Sequence, residues 1–90
     1  MPEQDHDYES DIIRGDAVER FLNDPSIQEV FAKMDQMYFS QWISSEAPAD
    51  REMLWAKARS LRELGTGLHA MKDLGVAARH AQEQSKKTQL

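Results

Sequence analysis

The run from Arg51 to Leu74 constrains the fold more than any other stretch of the chain. Along it, apolar residues recur in steps of seven, three, four and three, at Leu54, Leu61, Leu64, Leu68 and Met71. This spacing predicts a narrow apolar seam on one side of a helix. Because such a seam must be covered, the run also predicts a second helix packed against it, from this chain or from another copy.

The end signals of this helix place it over about residues 50–74. Asp50 can cap its amino terminus, and Gly75 follows its last turn, where glycine often ends a helix in the left-handed conformation. Gly65 and Gly67 each disfavour a helix interior by about 1 kcal/mol relative to alanine. Since the leucine period continues across them, the sequence favours an unbroken helix over a kink.

A second amphipathic helix is predicted over residues 25–43. Proline suits the first helical position, which Pro25 occupies, and Asp24 or Ser26 can accept hydrogen bonds from the free amides that follow. The apolar residues of this helix recur at helical spacing, at Ile27, Val30, Phe31, Met34, Met37, Tyr38 and Trp42. The short connection to the next helix favours two antiparallel helices packed side by side.

The remaining segments are predicted to add little to this pair. Residues 1–10 are polar, acidic and without period, which indicates a disordered arm. A short helix is expected over residues 16–22, and a frayed tail over 85–90, with room for a further short helix over 76–84. The predicted fold is therefore all-α. Residues 11–84 are expected to form a helical domain, an antiparallel helical hairpin with a short N-terminal helix, completed by oligomerisation.

Five residues are predicted to contact another chain. Phe39 and Ile43 lie off the main apolar stripe of their helix, and a helix that is apolar on two sides usually has more than one neighbour. Tyr38, Trp42 and Trp55 add the aromatic anchors that protein interfaces favour. Two helices and a short prelude cannot easily bury these residues together with the leucine seam. The sequence therefore predicts an interface at these positions, in a homo-oligomer or against a larger protein.

The net charge of −5 is concentrated near the N-terminus, where residues 1–24 hold eight acidic residues against two arginines. An acidic protein is repelled by phosphates, which argues against nucleic acid as the partner. The chain has no cysteine, which excludes disulfides and thiolate metal sites. No apolar run approaches the roughly 20 residues that a membrane span needs. We therefore expect a soluble protein of a reducing cytoplasm.

No pattern in the sequence predicts a catalytic, cofactor-binding or metal site. The histidines, His6, His69 and His80, do not share a helical face at ligand spacing. His69 and Asp73 have the spacing of a general base and its orienting carboxylate, but this is also the spacing of an ordinary surface pair, which we favour. Gly65–Gly67 follows a helix and not a strand, so it is not a phosphate-binding loop. We expect no enzyme activity, no cofactor and no small-molecule substrate.

Several short motifs lie between residues 17 and 75, namely Val18–Pro25 (VERFLNDP), Tyr38 with Trp42, Arg51–Trp55 (REMLW) and the closing Gly75. In these motifs the chain resembles short, mostly uncharacterised helical proteins encoded by tailed bacteriophages. The resemblance implies a phage origin and a place among virion or morphogenesis genes. It thereby implies a location in the cytoplasm of the bacterial host or in the virion. It implies no particular activity and no site residues.

The function that the sequence favours is a non-enzymatic protein-interaction module, a phage virion-associated or assembly protein. Two alternatives stay open. A small phage-encoded inhibitor of a host system would use the acidic arm against a basic surface. A DNA-packaging or regulatory helical protein would contact nucleic acid, and its binding would weaken steeply with salt. Deleting the acidic arm and varying the salt concentration separate these alternatives.

Overall fold

The computed structural model describes residues 7–88, and this part of the chain is all α. It consists of three helices and contains no strand. The helices are α1 (Tyr8–Asn23), α2 (Pro25–Ser44) and α3 (Pro48–Thr88). The prediction of an all-α fold is confirmed. The expectations for residues 1–6 of the acidic arm and for the last two residues of the tail lie outside the described residues.

Helix α1 begins at Tyr8 and not at about residue 16, so the prediction of disorder up to Ser10 is wrong for its last residues. The backbone amide of Ser10 donates to Asp7 Oδ1 at 3.0 Å, as expected of a capping aspartate. Glu9 and Asp11 lie in the first turn, where negative charge is favoured by the helix dipole. Asp7 and Glu9, two of the acidic residues that indicated disorder, therefore stabilise the start of a helix.

Helix α2 matches its prediction to within one residue at its C-terminal end. The backbone amide of Ser26 donates to Asp24 Oδ1 at 2.8 Å, which identifies Asp24 as the cap, and Pro25 opens the helix. The junction with α1 is closed by Gln28, whose Nε2 donates to the carbonyl oxygen of Leu22 at 3.0 Å. This hydrogen bond satisfies a carbonyl at the end of α1 that lacks a helical partner.

Helix α3 is longer than predicted at both ends. It begins at Pro48, where the carbonyl oxygen of Ala47 accepts from the amide of Arg51 at 3.1 Å, and it continues to Thr88. The prediction that Gly75 ends the helix is wrong, since no glycine in the described part of the chain has a positive φ. The segments predicted as a separate short helix and as a frayed tail belong to α3 as far as Thr88. The predicted continuity across Gly65 is confirmed.

The chain divides into two compact units. The first unit contains α1 as far as Phe21 and α3 from Leu68 onward, and the second contains the chain from Leu22 to Gly67. In the first unit, the backbones of α1 and α3 touch at Gly15 and Gly75, both of which are buried.

The space between these two glycines is too small for a side chain. A Cβ atom added to Gly15 would lie 2.7 Å from the Cα of Gly75, and one added to Gly75 would lie 2.8 Å from the Cα of Gly15. Real Cβ atoms do not approach other heavy atoms so closely. Gly75 is therefore inside the helix because it packs there, and not because it ends the helix.

The second unit joins α2 to the first part of α3 along a seam of alternating large and small residues. The half-buried positions of α3 in this unit repeat every three or four residues, at Arg51, Leu54, Ala58, Leu61 and Gly65. Leu64 lies to one side of this seam and is 54% exposed. The predicted seam is thus correct for Leu54 and Leu61 and wrong for Leu64. The predicted hairpin and its completion by oligomerisation stay predictions.

We expect Gly75→Ala to lower the thermal midpoint, whereas Gly65→Ala raises it. An added Cβ gains about 1 kcal/mol of helix propensity at either position. At position 75 this gain is outweighed by overpacking against the backbone of Gly15, which typically costs about 1–3 kcal/mol. At position 65 no atom lies within 4 Å of the added Cβ. Thermal denaturation followed by circular dichroism measures both effects, with Gly67→Ala as a second open-space control. Equal increases for all three variants would contradict the close contact.

We expect Leu61→Ala to destabilise the fold by about 1–3 kcal/mol and Leu64→Ala by less than about 1 kcal/mol. Leu61 is half-buried and lines a shallow depression together with Met34, whereas more than half of Leu64 is exposed. Urea denaturation at low protein concentration measures the difference. Equal losses at the two positions would mean that the seam is wide enough to include Leu64.

Candidate protein-interaction surface

An open groove lies on one side of the second unit, between α2 and α3, with a volume of about 480 Å³. We call it the aromatic groove. It is lined by Asp35, Tyr38, Phe39, Trp42, Leu54, Trp55, Ala58, Arg59 and Arg62. Along each helix the lining residues follow one another at steps of one and three, so residues three or four apart share one strip of the helix surface.

The large side chains of the groove are exposed. Phe39 is 63% exposed, Trp55 58% and Trp42 37%. Ile43, one turn beyond Phe39, is 61% exposed, although it is not among the residues that line the groove. A contiguous apolar patch of this kind marks an interaction site more often than an ordinary surface. Four of the five predicted interface residues therefore lie together, and the fifth lies beside them.

Arginine side chains cover the faces of both indole rings. The guanidinium carbon of Arg51 lies 3.8 Å from the centre of the Trp42 ring, and that of Arg59 lies 5.4 Å from the centre of the Trp55 ring. Cation–π contacts at these distances are favourable by about 0.5–2 kcal/mol, depending on exposure. They hold the rings in place and so reduce the ordering entropy that binding would cost.

The groove arginines also form exposed ion pairs. Arg59 Nε lies 3.1 Å from Glu63 Oε1, and Arg62 Nη2 lies 3.8 Å from Asp35 Oδ1. Exposed ion pairs contribute about 0–1 kcal/mol to the free energy of unfolding, so these arginines can exchange their present carboxylates for other partners at little cost. Arg51 differs, because its Nε is buried and has no hydrogen-bond partner among the described residues.

The arginines of this surface are not among the residues that the sequence predicts at an interface. The four-residue interval between Trp55 and Arg59 is a signal that could have identified one stacked pair. The stacking of Arg51 on Trp42 joins two helices, and no interval along one helix could have revealed it.

A second depression, which we call the methionine side, involves different residues of the same unit. Its volume is about 390 Å³, and it is lined by Met34, Tyr38, Met53, Ala56, Lys57, Ser60, Leu61 and Leu64. Met53 is 52% exposed. This depression has no aromatic side chain other than Tyr38 and no acidic one.

The predicted absence of a metal site and the pair of His69 and Asp73 can be compared with the described residues. Between residues 7 and 88, no three histidine, aspartate or glutamate side chains come together as a metal site. Asp73 lies 4.0 Å from Lys72 Nζ, an adjacent residue, and no hydrogen bond between His69 and Asp73 is found in this part of the chain. None of the helices described is long and apolar enough to cross a membrane.

We expect Trp55 to be quenched by acrylamide more steeply than Trp42. Trp55 is the more exposed indole, and Arg51 covers one face of Trp42 at 3.8 Å. The variants Trp42→Phe and Trp55→Phe each leave one tryptophan, so fluorescence quenching at nanomolar protein concentration compares the two sites. Acrylamide is neutral, which removes the influence of the neighbouring arginines. A steeper quenching slope for Trp42 would contradict this arrangement.

Comparisons of the chain with family models, with curated proteins and with solved structures give no match. The function must therefore be inferred from the surfaces of the chain itself, and the aromatic groove is the most distinctive of them.

Proposed function

We propose that this chain is a non-enzymatic protein-interaction module that folds as an antiparallel helical hairpin and self-associates through its exposed apolar side chains. The observation that carries this proposal is the burial pattern. Within residues 7–88, Ala78 is the one hydrophobic residue that is buried, at 4% exposure. No large side chain in that range is fully buried.

The burial pattern leaves the single chain short of stabilisation. Fully burying a large apolar side chain contributes about 1.5–3 kcal/mol, whereas ordering one residue of backbone costs about 1–2 kcal/mol. The exposed ion pairs contribute too little to offset that cost. A second chain laid over the exposed apolar residues would supply the missing burial. Small helical chains commonly reach stability in this way.

The hairpin part of the proposal is supported by the order of contacts within the second unit. Trp42 near the end of α2 contacts Arg51 near the start of α3, and Asp35, earlier in α2, contacts Arg62, later in α3. A residue farther from the connection in α2 thus contacts a residue farther from the connection in α3. This order of contacts is typical of antiparallel helices.

The biological context of the proposal rests on the resemblance to phage-encoded helical proteins. That resemblance favours a virion-associated or assembly protein, acting in the host cytoplasm or in the virion. Self-association suits such a role, because virion components act as repeated copies. Affinity purification of the chain from its native source, followed by mass spectrometry, tests this context. Recovery with virion components supports it, and recovery with a single host protein would favour the inhibitor instead.

We expect the full chain to sediment at equilibrium with a mass above that of the 10.4 kDa protomer at micromolar concentration. We also expect its thermal midpoint to rise with protein concentration, because association stabilises the folded state by mass action. Association through apolar contacts should persist at high salt, where exposed charge pairs are screened. A fully helical 10.4 kDa species with the same midpoint at every concentration would refute the proposal.

Removing residues 1–6 provides the control for the acidic arm. This deletion retains Asp7, whose side chain accepts the capping hydrogen bond of α1, so the helix keeps its start. If self-association depends on the apolar surface, the shortened chain should associate as the full chain does. A loss of association would mean that residues 1–6, and not the apolar surface, hold the copies together.

A further inference from the structure

We propose that the aromatic groove is the self-association surface, and that its occupant is the same groove of a second copy, related by a two-fold axis that passes near Trp55. This inference rests on the proposed function, since it assumes that the chain self-associates. It goes beyond that function by selecting one surface over the other, by fixing the relative orientation of the two copies and by naming the residues that pair.

The composition of the groove distinguishes it from the methionine side. Tryptophan, tyrosine and arginine are the residue types most enriched at the energetic centres of interfaces, whereas leucine and valine are under-represented there. The groove presents Trp42 and Trp55 together with Arg59 and Arg62, whereas Tyr38 lines both surfaces. The methionine side presents mainly aliphatic and thioether side chains.

The exposed area of the groove is close to what a stable dimer needs. At roughly 200 Å² for a whole large side chain, the exposed fractions of five side chains that line the groove and of the neighbouring Ile43 amount to about 700 Å². These six are Phe39, Trp42, Ile43, Trp55, Arg59 and Arg62. A stable interface buries about 800 Å² on each partner. One further half-buried residue, such as Tyr38, brings the patch to this size.

The charges of the patch indicate that the occupant is a second copy. On one side of Trp55, towards the start of α3, the surface next to Trp42 is bordered by Glu46 and Glu52 together with Arg51, two negative charges against one positive charge. On the other side lie Arg59 and Arg62 together with Asp35, two positive charges against one negative charge. A two-fold axis near Trp55 reverses this order, and so places the arginines of one copy against the glutamates of the other. The patch is thus complementary to itself, as a two-fold interface requires.

The existing partners of these arginines do not prevent the exchange. The side chains of Arg59 and Glu63 are both more than 60% exposed, and Arg62 is 3.8 Å from Asp35 with its own side chain 76% exposed. Such pairs are weak in water. On the methionine side, Lys57 is the one charged residue among those that line it, so a two-fold pairing of that side offers it no opposite charge.

A charge-swap experiment tests the orientation of the two copies. In Glu52→Arg alone or Arg59→Glu alone, the two-fold pairs become like-charged, and each variant should self-associate at least about tenfold more weakly than the wild type. An equimolar mixture of the two variants restores opposite charges in both pairs, so the mixture should associate with close to wild-type affinity. Sedimentation equilibrium measures all three samples, and circular dichroism confirms that each variant is helical.

Restoration in the mixture supports the proposed pairing directly, because two misfolded proteins would not rescue each other. Failure of the mixture to restore association, with both variants folded and weakened, would overturn the two-fold pairing. Undiminished association of both single variants would overturn it as well.

A matched pair of variants tests the choice of surface. Phe39→Glu places a charge in the aromatic groove, and Leu64→Glu places one on the methionine side, at positions that are 63% and 54% exposed in the single chain. We expect Phe39→Glu to weaken self-association at least about tenfold, because the charge would lose its water in the interface. Leu64→Glu should leave it unchanged.

The outcomes separate this inference from the proposed function. If the wild type self-associates and Leu64→Glu disrupts it while Phe39→Glu does not, the choice of the aromatic groove is wrong and the proposed function stands. If the wild type stays a 10.4 kDa monomer at all concentrations, both are wrong, and the groove would be left for a different protein.

Discussion

The backbone contact between Gly15 and Gly75 determines which residues the first unit can bury. Two helices whose backbones touch leave no room between them for large side chains. The buried residues in this part of the chain are accordingly small, and Ala78 lies three residues beyond Gly75. The residues on either side of Gly75 point away from this contact, and Leu74 and Val76 are 51% and 62% exposed. The contact thus buries small residues and leaves these larger apolar side chains on the exterior.

In the second unit, small residues likewise lie along the seam between α2 and α3, although Gly65 does not touch another backbone as Gly15 and Gly75 do. Ala58 and Gly65 alternate with leucines along its seam, which keeps the seam narrow. The aromatic side chains that cannot enter the seam lie beside it, where the stacked arginines hold two of them. A surface that is apolar, ordered and bordered by both signs of charge is the result. The narrow seam therefore leaves the aromatic side chains exposed in the single chain, and the same exposed side chains are suited to contact another chain.

The sequence predicts the helical class and the limits of α2, because Asp24 and Pro25 mark its start in a way that depends on neighbouring residues only. It does not predict the role of Gly75, since a glycine that ends a helix and one that admits a second backbone look alike in a sequence. Nor does it distinguish Leu61 from Leu64, because both fit the same helical spacing. Only the packing of α2 against α3 leaves Leu61 half-buried and Leu64 exposed. Of the predicted interface residues, Tyr38, Phe39 and Trp42 are brought together by helical spacing within α2. The addition of Trp55 to the groove and the stacking of Arg51 on Trp42 required the tertiary contact between α2 and α3.

One further consequence concerns Gly65–Gly67 at the centre of α3, where the second unit ends and the first resumes at Leu68. The two glycines are weak helix formers with no neighbouring atom within 4 Å of an added Cβ, and Thr66 Oγ1 donates to the carbonyl oxygen of Arg62 at 3.1 Å. Hydroxyl hydrogen bonds of this kind slightly weaken a helix. This turn is therefore weakly stabilised, because its two glycines have low helix propensity and no side chain that could pack against a neighbour. Its amide hydrogens should exchange with solvent sooner than those of the turns on each side, which makes it the natural boundary between two cooperative unfolding segments of a single helix.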